Sequence, residues 1–144
     1  MSTTRQLCTF VLENQLFGIN VDCVLEVIRS LPITKVPLAP EAVSGLINLR
    51  GQIVTAVDLR RRLELLNSTQ ASTQRMNIII RTPEGPLCFP IDEVGDVMTV
   101  EESLFEPVPD TMTGIARKMI DSVCKLPDRL LLVLKSDFTE LAGI

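Results

Sequence analysis

Apolar and polar positions along most of this chain follow the spacing of strands rather than of helices. Gln6–Glu13 is rich in Leu, Thr, Phe and Val, Asn14-Gln15 offers a tight turn, and Leu16–Val21 completes a hairpin. Asp22 is placed to N-cap a short helical turn through about Glu26. Val27–Arg29 and Ile33–Val36 read as short extended pieces interrupted by Pro32 and Pro37, with a loop from Pro37 to Pro40. Gly45–Leu49 and Ile53–Val57 form a second hairpin joined at Arg50-Gly51-Gln52, after which Asp58 caps a short helix carrying Arg60, Arg61 and Arg62. Asn67–Gln74, rich in Ser, Thr and Gln, reads as a connector. The second half begins in the same way. Met76–Thr82 and Leu87–Ile91 flank the turn Pro83-Glu84-Gly85-Pro86, and Asp96–Val100 is another short strand. A Pro-containing loop, Glu106–Asp110, leads into a helical stretch near Gly114–Ile120. Val123–Leu126 and Arg129–Leu134 make a last hairpin around Pro127-Asp128, and Phe138–Leu141 a terminal helical turn.

Two stretches recur. Val21-Asp22-Cys23-Val24-Leu25-Glu26-Val27 resembles Ile91-Asp92-Glu93-Val94-Gly95-Asp96-Val97 at a spacing of 70 positions, each reading aliphatic-Asp-x-Val-x-acid-Val after a hairpin. Leu46–Val57 resembles Val123–Leu134 at a spacing of 77. The common order implies two similar β units of about five strands each, roughly residues 15–75 and 76–144 with the N-terminal strand shared. A unit near that size has a marginal core alone, so the two must bury surface on one another. Short, closely spaced strands favour barrels, which leave few open edges.

At 144 residues, 46% of them hydrophobic, the chain is one folded domain and not a disordered one. Its longest aliphatic run, Leu130–Leu134, is far short of the roughly 20 apolar residues of a membrane span. Met1–Gln6 is polar and lacks the apolar core of a signal peptide, so a cytoplasmic location without membrane insertion is expected. Net charge of −4 argues against nucleic acid as a partner, and with no Trp or Tyr there is no base-stacking platform. Histidine is absent, which removes the commonest general base and the commonest metal ligand. Cys8, Cys23, Cys88 and Cys124 are scattered without a C-x-x-C pair, so they are expected to be small buried hydrophobes without metal or disulfide. No Gly-rich phosphate loop is present. No cofactor, no metal and no catalysis are expected.

At Asn48-Leu49-Arg50-Gly51, followed by Val57-Asp58-Leu59-Arg60, the sequence resembles the CheW family, the coupling proteins of bacterial chemotaxis arrays. The resemblance runs through the Phe10-Val11-Leu12 to Phe17-Gly18-Ile19 hairpin, Val24–Arg29, Pro37-x-x-Pro40, Gly45-Leu46-Ile47, Ile91-Asp92-Glu93-Val94 and the final hairpin. It departs at Ala56, where the family usually has Pro, and at Ser122, often Gly. The resemblance implies a mainly β fold of two intertwined five-stranded SH3-like barrels with a few short helices. It implies an adaptor without catalysis that bridges the cytoplasmic tip of chemoreceptors and the regulatory domain of the histidine kinase CheA. Other copies of the coupler are further candidate partners, and association with membrane arrays would run through partners.

Taken alone, Arg50 is a solvated arginine beside a turn glycine; the resemblance assigns it to kinase activation, with Glu26 as its acidic counterpart. Val24 and Val27 are either core residues or one wall of a receptor groove between the barrels, with Val94 and Val97 on the other wall. Asp22 and Asp92 read as caps and Arg60–Arg62 as a solvated helix face. The competing functions are a coupler in a chemosensory pathway not concerned with motility, and a small-ligand-binding β-barrel.

Overall fold

The computed structural model describes residues 3–29, 31–38, 43–59, 63, 76–112 and 114–135. The expected Arg60–Arg62 helix face, the Asn67–Gln74 connector and the terminal turn at Phe138–Leu141 lie outside these residues. The strands are β1 (Thr4–Leu12), β2 (Gln15–Asn20), β3 (Val24–Arg29), β4 (Val43–Leu49), β5 (Gln52–Val57), β6 (Met76–Thr82), β7 (Gly85–Ile91), β8 (Glu93–Glu101), β9 (Phe105–Glu106), β10 (Ile120–Lys125) and β11 (Leu130–Leu134). Two 3-10 turns, Val21–Cys23 and Glu102–Leu104, and one helix, α1 (Gly114–Met119), complete the set.

The strands form two sheets, ordered β8-β1-β2-β11-β10-β9 and β3-β6-β7-β5-β4. We call the first barrel A and the second barrel B. The hairpins are local and antiparallel, whereas β2–β11 and β5–β7 are parallel pairs between distant segments. In barrel B the two sheet ends are joined by Thr34 and Leu46, which exchange backbone hydrogen bonds of 2.8 Å. In barrel A the short β9 continues from β8 and pairs with β10.

Strand membership cuts across the expected division at residue 75. β6 and β7 join β3–β5, while β1 and β2 both join the strands that follow residue 93. The repeat explains why. Val24 opposes Ile80 in one barrel and Val94 opposes Phe10 in the other; Val27 opposes Ile78 and Val97 opposes Cys8. Thr55 opposes Leu87, and Leu132 opposes Phe17. Every partner is displaced by the 70 or 77 positions of the sequence repeat, with first half and second half exchanged. Each half of the chain therefore completes the other half's sheet.

This exchange gives β1, β2, β6 and β7 two buried faces. Phe10, Leu12, Phe17 and Ile19 from one sheet meet Ile78, Ile80, Phe89 and Ile91 from the other in a core shared by the barrels. Phe10 and Phe17 stack there with ring centroids 5.5 Å apart. The alternate residues fill separate interiors, Leu7, Leu16, Leu131 and Val133 in barrel A and Ile47, Val54, Ala56 and Ile79 in barrel B. Mutual burial between the units is thus present, as their small size requires.

Candidate functional site

Leu49 opposes Gln52, so β4 and β5 are joined by only two residues, Arg50 and Gly51. Both have positive φ, 51° and 88°, as a primed hairpin turn demands. Asn48 Oδ1 accepts the Gly51 N–H at 2.8 Å and holds the tip. The Arg50 guanidinium donates from Nη2 to Glu26 Oε2, an ion pair at the surface. The side chains are 68% and 31% exposed respectively.

Glu26 reaches this position because β3 carries a bulge. Val24 opposes Ile80 and Glu26 opposes the very next residue, Ile79, leaving Leu25 as the extra residue. The expectation that Glu26 ends a short helix is corrected here. The 3-10 turn stops at Cys23, and the β-branched Val24, Val27 and Ile28 run as a strand against β6. The capping expectations are corrected as well. Asn20 is the N-cap of that turn and makes no side-chain capping bond, while Asp22 lies exposed within the turn. Asp92 Oδ2 accepts the Glu13 N–H at 3.0 Å, and its own N–H donates to Val11 O at 3.1 Å. It ties the β1–β2 turn to the β7–β8 corner instead of capping a helix.

The four valines do not share one environment. Val24 and Val27 are half-buried and pack against the shared core. Val94 and Val97 stand on β8 with 41% and 56% exposure. β3 and β8 are each the end strand of their sheet. The fold thus brings Glu26 to Arg50, gives the first valine pair a packing role, and leaves the second pair in solvent.

Sequence reasoning passed over Asp96, whose position in barrel A matches that of Glu26 in barrel B. The acid in the repeated heptad was its signal. It also passed over Ile53 and Leu130, exposed aliphatics one residue past equivalent points of the two hairpins. Cys8, Cys88 and Cys124 are buried, and burial pushes all three thiols above their ordinary range, whereas Cys23, expected to be buried with them, is only half-buried in the 3-10 turn at the edge of the shared core. Among the described residues no group of three or more His, Cys, Asp or Glu is arranged to hold a metal ion, and no helix is long and apolar enough to cross a membrane.

A family model described as the CheW-like domain matches residues 6–138. The chain belongs to the CheW-like family. The chemotaxis protein CheW of Treponema pallidum is 30% identical over 132 residues, covering 90% of this chain and 78% of that protein. The chemotaxis protein CheW of Bacillus subtilis is 28% identical over 137 residues, covering 95% and 87%. The crystal structure of the scaffolding protein TtCheW from Thermoanaerobacter tengcongensis superposes with a TM-score of 0.83 at 29% identity, covering 94% of this chain and 92% of that one. The residues matched by the CheW-like family model span both barrels, Glu26 and Arg50 among them.

Proposed function

We propose that this protein is a chemosensory coupling scaffold that joins the cytoplasmic tips of chemoreceptors to the histidine kinase CheA by binding alone. The observation that carries the reading is the surface pair of Arg50 and Glu26 on a CheW-like fold. A guanidinium held at a rigid two-residue tip presents a planar fork of donors to a partner's carboxylates or carbonyls. Glu26 fixes its direction without burying it. An exposed pair of this kind contributes only about 0–1 kcal/mol to stability, so folding gives little reason for it. Val94 and Val97 add exposed apolar surface suited to a helical receptor tip laid in a groove. The small-ligand reading has no comparable support.

The test is reconstitution with receptor-containing membranes and CheA. Arg50→Ala is expected to keep the parental melting curve and lose most of the kinase stimulation. The double variant Glu26→Ala, Arg50→Ala is expected to lose no more than Arg50→Ala alone, since the two act as one unit. Full stimulation by Arg50→Ala would make the residue an ordinary solvated turn arginine.

A further inference from the structure

Strand contacts sort by the half of the chain they come from. β1–β5 keep two hairpins and the Thr34–Leu46 bridge to themselves, and β6–β11 keep two hairpins and the short β9–β10 pair. All other pairs among the described strands cross between halves: β1 with β8, β2 with β11, β3 with β6 and β5 with β7. Side chains follow the same division. Thr9 Oγ1 donates to Asp96 O at 2.6 Å, Gln15 Nε2 to Leu130 O at 3.2 Å and Asn77 Nδ2 to Arg29 O at 3.3 Å. Arg5 pairs with Glu102 at 3.0 Å and with Asp121 at 3.6 Å. The surface that completes either half is therefore the other half.

Charge is divided in the same way. Residues 1–75 carry eight Lys and Arg against six Asp and Glu, a net +2, whereas residues 76–144 carry six against twelve, a net −6. Unlike halves attract, and two second halves repel each other strongly. The chain passes from one half to the other once. Leu59 and Leu63 are buried with the first half in the shared core, and β6 begins at Met76. Twelve residues, 64–75, join the two points, a length that spans up to about 40 Å when extended.

We infer that two copies of this chain exchange halves to form a closed dimer, in which β1–β5 of each copy fold with β6–β11 of the other. Every cross-half pair is then made between copies in the register it has within one, and both barrels are built twice. Within one copy the connecting residues hold the halves together at an effective concentration on the order of millimolar. Exchange therefore competes when chains fold in concentrated solution, and the single copy dominates in dilute solution. Glu26 and Arg50 lie in the same half, so their pair stays within one copy and the dimer presents two such tips. The inference rests on strand register and charge and is independent of the coupling function.

The test uses the full chain, unfolded in urea and refolded by dialysis. Parent protein refolded at about 1 mM should hold about tenfold more dimer, by size exclusion with light scattering, than protein refolded at about 10 μM. That dimer should persist on dilution, because separating the copies requires both barrels to unfold. A monomer at both concentrations, or a dimer that falls apart on dilution, would overturn the exchange. Complementation checks which halves pair. Phe17→Asp and Ile80→Asp each place a carboxylate in the shared core and should not fold cooperatively alone. Refolded together, they should give a particle of twice the chain mass with about half the parental ellipticity, since one of its two folded units combines the intact halves. Phe17→Asp mixed with Phe10→Asp leaves no intact first half and should recover nothing. No recovery from the complementary mixture, or equal recovery from both mixtures, would overturn the inference.

Discussion

Cys88 lies in the interior of barrel B, where its Sγ–H donates to Asn77 Oδ1 at 3.3 Å, and burial pushes the thiol up to about 12. Asn77 in turn donates from Nδ2 to Arg29 O at 3.3 Å, so a buried polar chain runs from β7 through β6 to the end of β3. In the unfolded chain the same thiol ionises near about 8.5. Below that pH both states are protonated and the contribution to stability is complete. Above it the unfolded state loses its proton and the folded state does not, so stability falls until the pH passes the folded value. The expected slope is about 1.4 kcal/mol per pH unit for one thiol. Urea midpoints compared between pH 8 and pH 11 should therefore fall more steeply for the parent than for Cys88→Ala. Parallel slopes would remove the thiol from the alkaline limb. Cysteine as a small buried hydrophobe was legible from composition and spacing. The bond to Asn77 was not, because it depends on β6 and β7 facing each other in one register.

Hairpins are the elements in which local sequence says most. All four expected hairpins are present, with their ends displaced by no more than a few residues. The bulges are the elements it hides. Gly45 stands at a bulge of β4 with φ of 150°, and a Cβ added there would lie 2.2 Å from Thr34 O. That carbonyl accepts the Leu46 N–H in the bridge that joins the two ends of the barrel B sheet. Gly45→Ala is therefore expected to open the bridge and cost about 1–3 kcal/mol, the worth of two backbone hydrogen bonds. Chemical denaturation would measure it, and accelerated amide exchange at Thr34 and Leu46 would locate it. An unchanged midpoint would show that the loop before β4 gives way without loss. The matching position in barrel A is Ser122, which also stands at a bulge of its strand. β9 itself, two residues long, leaves no periodic trace in the sequence.

Over the whole molecule, reciprocal exchange makes the halves interdependent. Within β1–β5 the only strand pairs are the β1–β2 and β4–β5 hairpins; β1–β8, β2–β11, β3–β6 and β5–β7 all cross between halves. A chain cut between Asn67 and Gln74 should yield fragments that each lack cooperative unfolding, because isolated hairpins are marginal in water. Equimolar mixing should restore one cooperative transition with the parental circular dichroism. A fragment that unfolds cooperatively by itself would contradict the shared core of Phe10, Phe17, Ile78 and Phe89. Long-range pairing of this kind also implies slow folding, since distant strands must meet before either sheet closes.

The sequence by itself determined the β class, the hairpins and the 70- and 77-position repeat. These follow from alternation, turn chemistry and internal similarity, all of which act over a few residues or between like segments. It also determined the family, through motifs spread along the chain. Only the tertiary structure decided that each half finishes the other's sheet, since a repeat states that two segments are alike but not which strands they pair with. Only the tertiary structure separated the half-buried Val24 and Val27 from the exposed Val94 and Val97. Identical residues at matched positions become different where one edge packs on a core and the other faces solvent. The same is true of the two acids. Glu26 meets an arginine because a bulge and a two-residue turn converge on it, and Asp96 does not because the matching turn carries proline.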